Sequence, residues 1–485
     1  MTEIAFPEDD QTFRNELASV ARDGRRRWVY ARQPSGPRYR ARTYVSWVLL
    51  AFLIFAPFVT IYGQPLMQLN VLQRHFVLLG MVFRPQDFHL VVLIALGLLV
   101  TLLLSTVAVG RVWCGWLCPQ TVFMEMLFRK IEYWIDGSAE EQLRRDRGPW
   151  TRARLLRTGV KHAIFGGLSF VLANVFLAWI VGAAELRRIV TDPPSQHLAG
   201  LTAILIFSLV FYAVFARFRE QACVLACPYG RVMSALTDAD TVTITYDRLR
   251  GEPRRRRANE AALAAPASGD CVDCHRCVTV CPTGIDIRDG IQLECINCTA
   301  CMDACDSVMT RLQRPTGLIR WTSHAAMMAA TASSTGGRRR LTGRVAAYSA
   351  VWLVLVSAVA ALLLTRRDLD VVILRQPGTL YATAAGGDLT NFYQVQALNR
   401  TRHDTAFTIE VTRPRGGRIM PLGAIDRVAA YGLLEGRLVL QLPVEAITGP
   451  STRVTFAVRT GGGVVQTIES TFLGPAIAAT SAQRE

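Results

Sequence analysis

Eight of the twelve cysteines lie in two short runs that have the same spacing, Cys-x2-Cys-x2-Cys-x3-Cys. This spacing is typical of bacterial ferredoxins with two clusters, in which each cubane takes three thiolates from one run and the fourth from the other. We therefore predict two [4Fe–4S] clusters. The first is held by Cys271, Cys274, Cys277 and Cys305. The second is held by Cys281, Cys295, Cys298 and Cys301.

Two other uses of clustered cysteines fit this stretch less well. Zinc sites combine pairs of ligands that lie further apart, and have no use for a third cysteine at the same short spacing. Disulfide frameworks belong mainly to small secreted chains. His275 lies inside the first run but is not needed as a ligand.

The remaining four cysteines form two CxxxCP motifs. Arg111–Pro119 reads RVWCGWLCP and Glu220–Pro228 reads EQACVLACP. Residues four apart share one face of a helix, so each motif can present two thiols to one point. The proline after the second cysteine disfavours helical geometry there, and a turn at a helix end is the alternative. The four thiols are those of Cys114, Cys118, Cys223 and Cys227.

Four thiolates at a membrane edge suit several centres. Soft sulfur ligands favour Cu(I), a further iron–sulfur cluster or zinc. The alternative is that the cysteines are small buried residues that pack two helices together. Because the motif occurs twice, each time at the end of an apolar run, we favour a site and expect the two halves of the membrane region to be an internal duplication.

The elements that position these cysteines are membrane spans. Half of the chain is hydrophobic, and most of the net charge of +16 comes from arginines that flank long apolar runs. This pattern indicates membrane orientation rather than nucleic-acid binding. We predict five transmembrane helices, each close to the length that a bilayer requires. Their bounds are 44–62, 89–109, 163–181, 199–215 and 345–364.

The positive-inside rule places the arginine-rich segments in the cytoplasm. The predicted domains are a cytoplasmic arm (1–43), a four-helix region with both CxxxCP motifs (44–216), a cytoplasmic segment (217–344) containing the ferredoxin-like unit (270–306), the fifth helix (345–364) and a periplasmic domain (368–485). Every cysteine then lies on the reducing, cytoplasmic side, which suits metal ligands better than disulfides.

The last domain has a different pattern. Apolar residues alternate along short segments such as Tyr393–Ala397 and Leu438–Leu442, and glycine-rich turns separate these segments. Strands at this spacing predict an immunoglobulin-like β-sandwich. The domain has no cysteine and no evident catalytic residues, so we expect it to serve docking or stability.

Together these motifs resemble a known family. The sequences WCGWLCP, CPTGIDIRDG, ECINCTACMDACD and GLIRW, along with the second CxxxCP, are similar to those of the FixG/CcoG/RdxA proteins. These are bacterial inner-membrane polyferredoxins that act as accessory proteins of cbb-type cytochrome c oxidases. The resemblance covers essentially the whole chain. It implies that the protein reduces Cu(II) to Cu(I) for oxidase assembly, with Cys114, Cys118, Cys223 and Cys227 as the copper-handling residues.

Three hypotheses follow. The first is a cupric reductase, with copper as substrate or ligand and with oxidase subunits or assembly factors as partners. The second is an electron relay from a cytoplasmic donor or quinol to a membrane partner. The third is an assembly scaffold whose clusters are structural. No nucleotide-binding or flavin-binding motif in the sequence identifies the electron donor.

Overall fold

The computed structural model describes residues 18–20, 23–61, 63–71, 75–254, 269–290, 292–332, 342–378, 380–384 and 386–475. The first seventeen residues of the predicted arm, the linker 255–268 and the basic run Gly336–Arg340 lie outside these ranges. The chain divides into two compact units. One comprises most of the chain up to Val359. The other comprises the segment from Ala360 with the short pieces Ile61–Gln64 and Val77–Phe83.

The first unit is mainly helical. Its longer helices are α1 (Pro37–Phe55), α2 (Phe88–Val109), α3 (Pro119–Phe123), α4 (Arg129–Asp136), α5 (Ala139–Arg147), α6 (Arg152–Val181), α7 (Ala183–Thr191), α8 (Leu198–Ala213) and α9 (Pro228–Leu236). After them come α10 (Arg248–Gly251), α11 (Arg276–Thr279), α12 (Ala300–Arg311), α13 (His324–Ala332) and α14 (Gly343–Leu364), which runs into the second unit. Wide π-helical turns cover Trp113–Leu117, Met124–Phe128, Val214–Phe218 and Ala222–Ala226.

Four helical segments in the described residues are long and apolar enough to cross a membrane. They are Pro85–Val109, Arg152–Val181, Leu198–Phe218 and Gly343–Leu364. Helix α1 does not meet this description, because Arg38, Arg40 and Arg42 occupy its first two turns. Only Thr43–Phe55 is free of charge, which is shorter than the roughly 20 residues that the hydrocarbon core requires. The predicted first span, 44–62, is therefore wrong in its bounds, and a count of five spans remains a prediction.

Aromatic packing holds α1, α6 and α8 to the segment between the CxxxCP motifs. Phe128 stacks on Phe215 with ring centroids 4.7 Å apart, and Phe165 meets Phe128 edge to face at 4.9 Å. Leu50 and Leu172 are buried in the same cluster. The segment 119–128 thus lies inside the helical core instead of forming a free loop between spans.

The chain just before α1 and the first turn of α1 pack against the cysteine-rich region. The backbone N–H of Arg32 donates to the carbonyl of Thr279 at 2.7 Å, and the N–H of Tyr39 donates to the Asp303 carboxylate at 2.8 Å. Arg38 forms ion pairs with Asp303 and Asp306. The described part of the predicted polar arm is therefore a structural element that joins α1 to α12.

Short strands complete the first unit and the segment before α2. They are β1 (Thr60–Ile61), β2 (Gln64–Pro65), β3 (Met67–Asn70), β4 (His75–Leu78), β5 (Met81–Phe83), β6 (Thr243–Tyr246) and β7 (Ile319–Thr322). Strand β6 pairs antiparallel with β7. This pair joins the two chain ends of the cysteine-rich region, which lies between residues 247 and 318.

The second unit contains a β-sandwich. Its strands are β8 (Leu369–Arg375), β9 (Ala382–Thr383), β10 (Leu389–Asn399), β11 (Thr405–Ala406), β12 (Thr408–Arg413), β13 (Arg418–Leu422), β14 (Arg427–Val428), β15 (Leu433–Leu442), β16 (Ser451–Thr460) and β17 (Gly463–Leu473). One sheet has the order β13-β15-β10-β8 with β9 beside β10, and another has the order β12-β16-β17.

The alternation seen in the sequence places the core of this sandwich. Tyr393, Val395 and Ala397 on β10 are fully buried, as are the alternate residues of β15 and β16. Tyr393 packs edge to face on Phe456 of the other sheet, with centroids 5.4 Å apart. The predicted sandwich is confirmed, because every second side chain of these strands turns to the same core.

Candidate metal centres

The two cysteine runs between 271 and 305 have the same local backbone. In each run the residues on either side of the second cysteine adopt left-handed conformations: φ is 47° at Asp273 and 55° at His275, and 53° at Asn297 and 65° at Thr299. Such values are uncommon outside glycine and bend the chain sharply. The bend turns three cysteines of each run towards one side, and a helix (α11 or α12) begins directly after it.

One cavity lies beside the first loop. The cysteines that line it are Cys271, Cys274, Cys277 and Cys305. Three of them come from the first run and one from the second. Tyr246 and Arg288 also line this cavity, so it is closed by strand β6 and by the segment between the two runs.

A second cavity lies beside the second loop. Its lining includes Cys281, Cys295, Cys298 and Cys301. Cys277 lines both cavities, which places them next to each other. The structure thus brings each predicted ligand set to its own cavity. The donor chemistry fits a cubane, which needs four thiolates around a space larger than one ion.

The thiols around these cavities are buried. Burial raises the pKa of Cys295 to about 12 and that of Cys298 to about 11. Free thiols in this setting stay protonated at neutral pH, and metal binding must therefore release their protons. Bound iron would offset the negative charge of the buried thiolates. Burial therefore makes this region more dependent on its metal and remains compatible with metal binding.

Arg288 forms the main charged contact of the first cavity. Its side chain is 2 % exposed and pairs with Asp286 at 2.6 Å and with Asp273 at 2.5 Å. The same guanidinium lies 2.8 Å from Nδ1 of His275. His275 is thereby held beside the cavity through Arg288. This network locks the left-handed turn of the first loop and offsets the positive charge of Arg288.

Both CxxxCP motifs form the same kind of turn. The N–H of Cys118 donates to the carbonyl of Trp113 at 2.8 Å, and the N–H of Cys227 donates to that of Ala222 at 2.9 Å. These five-residue bonds close the wide turns. Cys118 and Cys227 are themselves extended, with ψ of 124° and 113°. Of the two alternatives, a shared helix face or a turn at the helix end, the structure has the turn that the following prolines favour.

The four thiols of these turns lie together. The charge of Cys118 and that of Cys227 both act on the pKa of Cys114, and all three act on the pKa of Cys223. Burial is the larger influence and raises the pKa of Cys223 to about 12. The structure therefore brings one pair from each motif into a single group of soft donors.

This group is not a preformed site for one ion. Among the residues that the structure describes, no three His, Cys, Asp or Glu side chains are arranged closely enough to hold a single metal. The same statement covers the two cavities above, where a cubane would separate the sulfur atoms.

The first CxxxCP turn packs directly on the loop of the second cavity. A Cβ atom on Gly115 would lie 2.3 Å from the carbonyl oxygen of Ile296 and 3.0 Å from the N atom of Cys298, so only glycine fits there. The indole N–H of Trp116 donates to the carbonyl of Asn297 at 3.3 Å. Cys114 packs against the buried cluster that includes Ile296 and Cys298.

Arg111 strengthens this contact. Its guanidinium donates to the carbonyl of Leu293, just before the second run, and also lies against the thiol of Cys114. Sequence analysis missed Arg111, Gly115 and Trp116 as functional residues. The signal was the composition of the first turn, because glycine and two tryptophans are unusual inside a helix end and the second motif lacks them.

Comparisons with known proteins agree with this arrangement. A family model described as a 4Fe-4S dicluster domain matches residues 218–324. The model for the Ig-like fold at the C-terminus of FixG matches residues 359–475. A 4Fe-4S binding domain matches residues 89–137. That last segment contains two cysteines, Cys114 and Cys118, so it holds half of a cubane ligand set.

Whole-chain similarity decides the family. Protein RdxA of Cereibacter sphaeroides is 33 % identical over 468 residues, which cover 92 % of this chain and 97 % of RdxA. The chain belongs to the FixG/RdxA family. Nitrogen fixation protein FixG of Rhizobium meliloti is 34 % identical over 76 % of this chain and 74 % of its own. Protein RdxB of Cereibacter sphaeroides is 31 % identical over 79 % of this chain and 82 % of its own.

Membership in the FixG/RdxA family gives the functional class. The protein is an iron–sulfur electron-transfer protein of the membrane. The matched ferredoxin-type models support two [4Fe–4S] clusters. The four apolar helical segments fit a membrane protein, and the Ig-like domain follows the last of them.

Proposed function

We propose that the protein reduces Cu(II) to Cu(I) at the cytoplasmic face of the bacterial inner membrane and supplies the product for assembly of a cbb-type cytochrome c oxidase. The proposed ligands of one [4Fe–4S] cluster are Cys271, Cys274, Cys277 and Cys305. Those of the other are Cys281, Cys295, Cys298 and Cys301. Copper, the substrate, would bind at Cys114, Cys118, Cys223 and Cys227.

The contact between the first CxxxCP turn and the loop of the second cavity is the observation that carries the proposal. Cys114 packs against the buried cluster that includes Cys298, so a proposed copper-binding thiol lies beside the loop of a proposed cluster ligand, although the two segments are far apart in sequence. When bound, a ferredoxin-type cluster supplies single electrons at low potential, and Cu(II) needs one electron to become Cu(I).

The residues of the turns determine which oxidation state of copper is bound more strongly and which protons are released on binding. Thiolates are soft ligands that favour Cu(I) over Cu(II), so the donor set favours the reduced product. Burial of Cys114, Cys118 and Cys223 raises the pKa of each thiol, and copper binding must therefore displace their protons. Arg111 opposes this rise at Cys114 and helps that thiol to ionise.

The orientation is part of the proposal. Arginines crowd the segments that carry the cysteines, and the positive-inside rule then puts these segments in the cytoplasm and the β-sandwich in the periplasm. A cytoplasmic reductant is required as electron donor. The sandwich would contact oxidase subunits or assembly factors.

An electron relay is the second candidate. The observation that favours it is that no group of three or more His, Cys, Asp or Glu side chains among the described residues, the CxxxCP thiols included, is arranged to hold a metal ion. In that case the four cysteines would hold a further cluster or a structural contact, and the electron would pass to a membrane partner without copper.

The deciding experiment is a copper titration of the anaerobically purified full chain, reduced with dithionite and freed of the excess. Cluster reoxidation is followed by visible absorbance and Cu(I) by a chelator. The variants are Cys114→Ser/Cys118→Ser and Cys223→Ser/Cys227→Ser. Leu225→Ala is the control, because it alters an exposed side chain of the same turn and leaves the thiols intact.

In the wild type and in Leu225→Ala we expect one Cu(I) for each electron lost from the clusters, and in both serine variants little of either. Equal behaviour of all four proteins would reject these thiols as the copper site and favour the relay. If the wild type contains more iron than two clusters require, and the serine variants lack this excess, the four cysteines are ligands of a further cluster. Misfolding of serine variants of the cluster ligands, rather than a loss of redox function alone, would support the scaffold.

A further inference from the structure

Arg42 is a buried positive charge in the second turn of α1. Its side chain is 1 % exposed. The Nε atom donates to the carbonyl of Gly115 at 2.6 Å, inside the first CxxxCP turn. Both terminal nitrogens, Nη1 and Nη2, are buried and have no hydrogen-bond partner among the described residues. A buried guanidinium without a counter-charge is costly, so its position calls for an anionic neighbour.

The groups that face Arg42 narrow down that neighbour. From the segment Met124–Phe128 comes Glu125, but this carboxylate is already paired with Arg129. Lys130 and Tyr39 lie within its electrostatic range and offer no negative charge at neutral pH. The remaining candidate is the second cavity, because Cys298 belongs to the loop that packs against Gly115, the residue that accepts the hydrogen bond from Arg42.

Backbone contacts place Arg42 beside the same cavity. Its hydrogen-bond acceptor belongs to Gly115, and Gly115 is pressed against the backbone from Ile296 to Cys298. Arg42, the first CxxxCP turn and the second-cavity loop are therefore consecutive layers of one packed region. The guanidinium is almost completely shielded from bulk solvent.

The first cavity has a buried arginine in a different electrostatic state. Arg288 is held by Asp286 and Asp273, which together outweigh its charge. Among the residues that the structure describes, no carboxylate forms an ion pair with Arg42. A four-thiolate cubane is an anion that becomes more negative when it takes up an electron, and its reduction potential depends on nearby charge. In a buried setting a unit charge acts strongly over a few ångströms.

We propose that Arg42 is the counter-charge of the cluster in the second cavity and raises its reduction potential above that of the cluster in the first. The added electron then resides at the cavity that contacts Cys114. This inference rests on the ligand sets of the proposed function but not on copper. Arg42 is a positioning residue for charge, and it touches no substrate.

The test is a redox titration of the anaerobic full-length protein, monitored by electron paramagnetic resonance, without copper. The variants are Arg42→Gln, which removes the charge, and Arg42→Lys, which keeps it. Arg40→Gln is the matched control, since Arg40 is an exposed arginine of the same helix. Dithionite or a mediator supplies one electron to each cluster, and iron is assayed in every sample.

In the wild type we expect two potentials. Arg42→Gln should lower the higher one by at least 59 mV, a tenfold change in a one-electron equilibrium, and leave the lower one unchanged. Arg42→Lys should restore most of the loss, and Arg40→Gln should match the wild type. If Arg42→Gln loses iron, the Arg42→Lys protein provides the test. Wild-type potentials in an Arg42→Lys protein with full iron content would support a role of charge.

Three results would overturn the inference: unchanged potentials in an iron-replete Arg42→Gln protein, an equal fall of both potentials, or a failure of the lysine variant to restore the shift. Because no copper is present, these outcomes are independent of the cupric reductase test. A protein that reduces no Cu(II) but shows the selective shift would reject the proposed function and keep this inference.

Discussion

The turns Trp113–Leu117 and Ala222–Ala226 can be compared position by position. Each is a wide turn closed by a bond from a cysteine N–H to the carbonyl five residues before it, and each is followed by a helix that begins at proline. The proline has no N–H to offer, which suits the first position of a helix. The backbone of the motif is therefore the same in both halves of the chain.

The surroundings of the two turns differ at equivalent positions. After the first cysteine stands Gly115 in one turn and Val224 in the other. Three residues before the first cysteine stand Arg111 and Glu220. Arg111 reaches the second-cavity loop, whereas Glu220 is buried and accepts from Arg26 at 2.8 Å. One turn is thus fitted to the cluster loop and the other to the chain before α1.

The different surroundings of the two turns indicate that the turns have different roles. Both turns contribute two thiols, so both bear on what the group can bind. In the described structure the contact with the second-cavity loop is made by the first turn, through Cys114, Gly115 and Trp116. Coupling to the cavity should therefore depend on the first turn, and the stability of the site on the anchor of the second.

The largest effect is expected from Arg219→Met, which removes the anchor of the second turn. Arg219 is buried, pairs with Glu132 and lies 4.5 Å from the Trp28 ring. Its loss leaves the Glu132 carboxylate buried, with Lys161 at 3.8 Å as its remaining ion-pair partner among the described residues. We expect a loss of about 3–5 kcal/mol in unfolding free energy, seen as a lower thermal midpoint of the detergent-solubilised protein.

Arg217→Met is the matched control for this variant. Arg217 lies two residues earlier and is exposed, so its replacement should shift stability by less than about 0.5 kcal/mol. Equal midpoints for the two variants would show that the Arg219–Glu132 pair does not anchor the turn, and would remove half of the comparison.

Gly115→Ala should have the next largest effect, because it acts on the contact with the cluster loop. The new Cβ would meet the carbonyl of Ile296 at 2.3 Å, and the turn must move away. Overpacking of this kind costs about 1–3 kcal/mol. We also expect slower reoxidation of the reduced clusters by Cu(II), measured by stopped-flow absorbance.

Val224→Ala changes the equivalent position of the second turn. It should leave the reoxidation rate as in the wild type, since Val224 belongs to the turn that is anchored elsewhere. If Val224→Ala slows the rate as much as Gly115→Ala, both turns couple to the cavity and the division of tasks is wrong.

Much of this region could be predicted from residue spacing, because spacing alone restricts which thiols can meet. The crossed sets, with Cys305 joining the first cavity and Cys281 the second, follow from the repeated run. The alternation along β10 and β15 likewise predicted the sandwich core. Both patterns are local and periodic, and a single sequence displays them directly.

The contacts between distant segments could not be predicted in this way. Nothing local to Arg42 indicates that it is buried, since arginines before an apolar run usually face the cytoplasm. Its hydrogen bond joins residues 73 positions apart. The bounds of α1 were missed for the same reason. The helix can begin among arginines because the distant Asp303 accepts hydrogen bonds from the Arg38 side chain and from the N–H of Tyr39.

The smallest effect is expected from Trp116→Phe, which tests how finely the first turn is fitted. The change keeps an aromatic ring and removes the hydrogen bond from the indole to the carbonyl of Asn297. A bond of this kind contributes about 1 kcal/mol, and we expect a stability loss of that size. Leu225→Met, at the equivalent position of the second turn, should cost less, because Leu225 is exposed. A larger loss in Leu225→Met would mean that the second turn is the more closely packed, whereas a loss confined to Trp116→Phe, with slightly slower reoxidation, would tie even this weak bond to the coupling of the first turn with the second cavity.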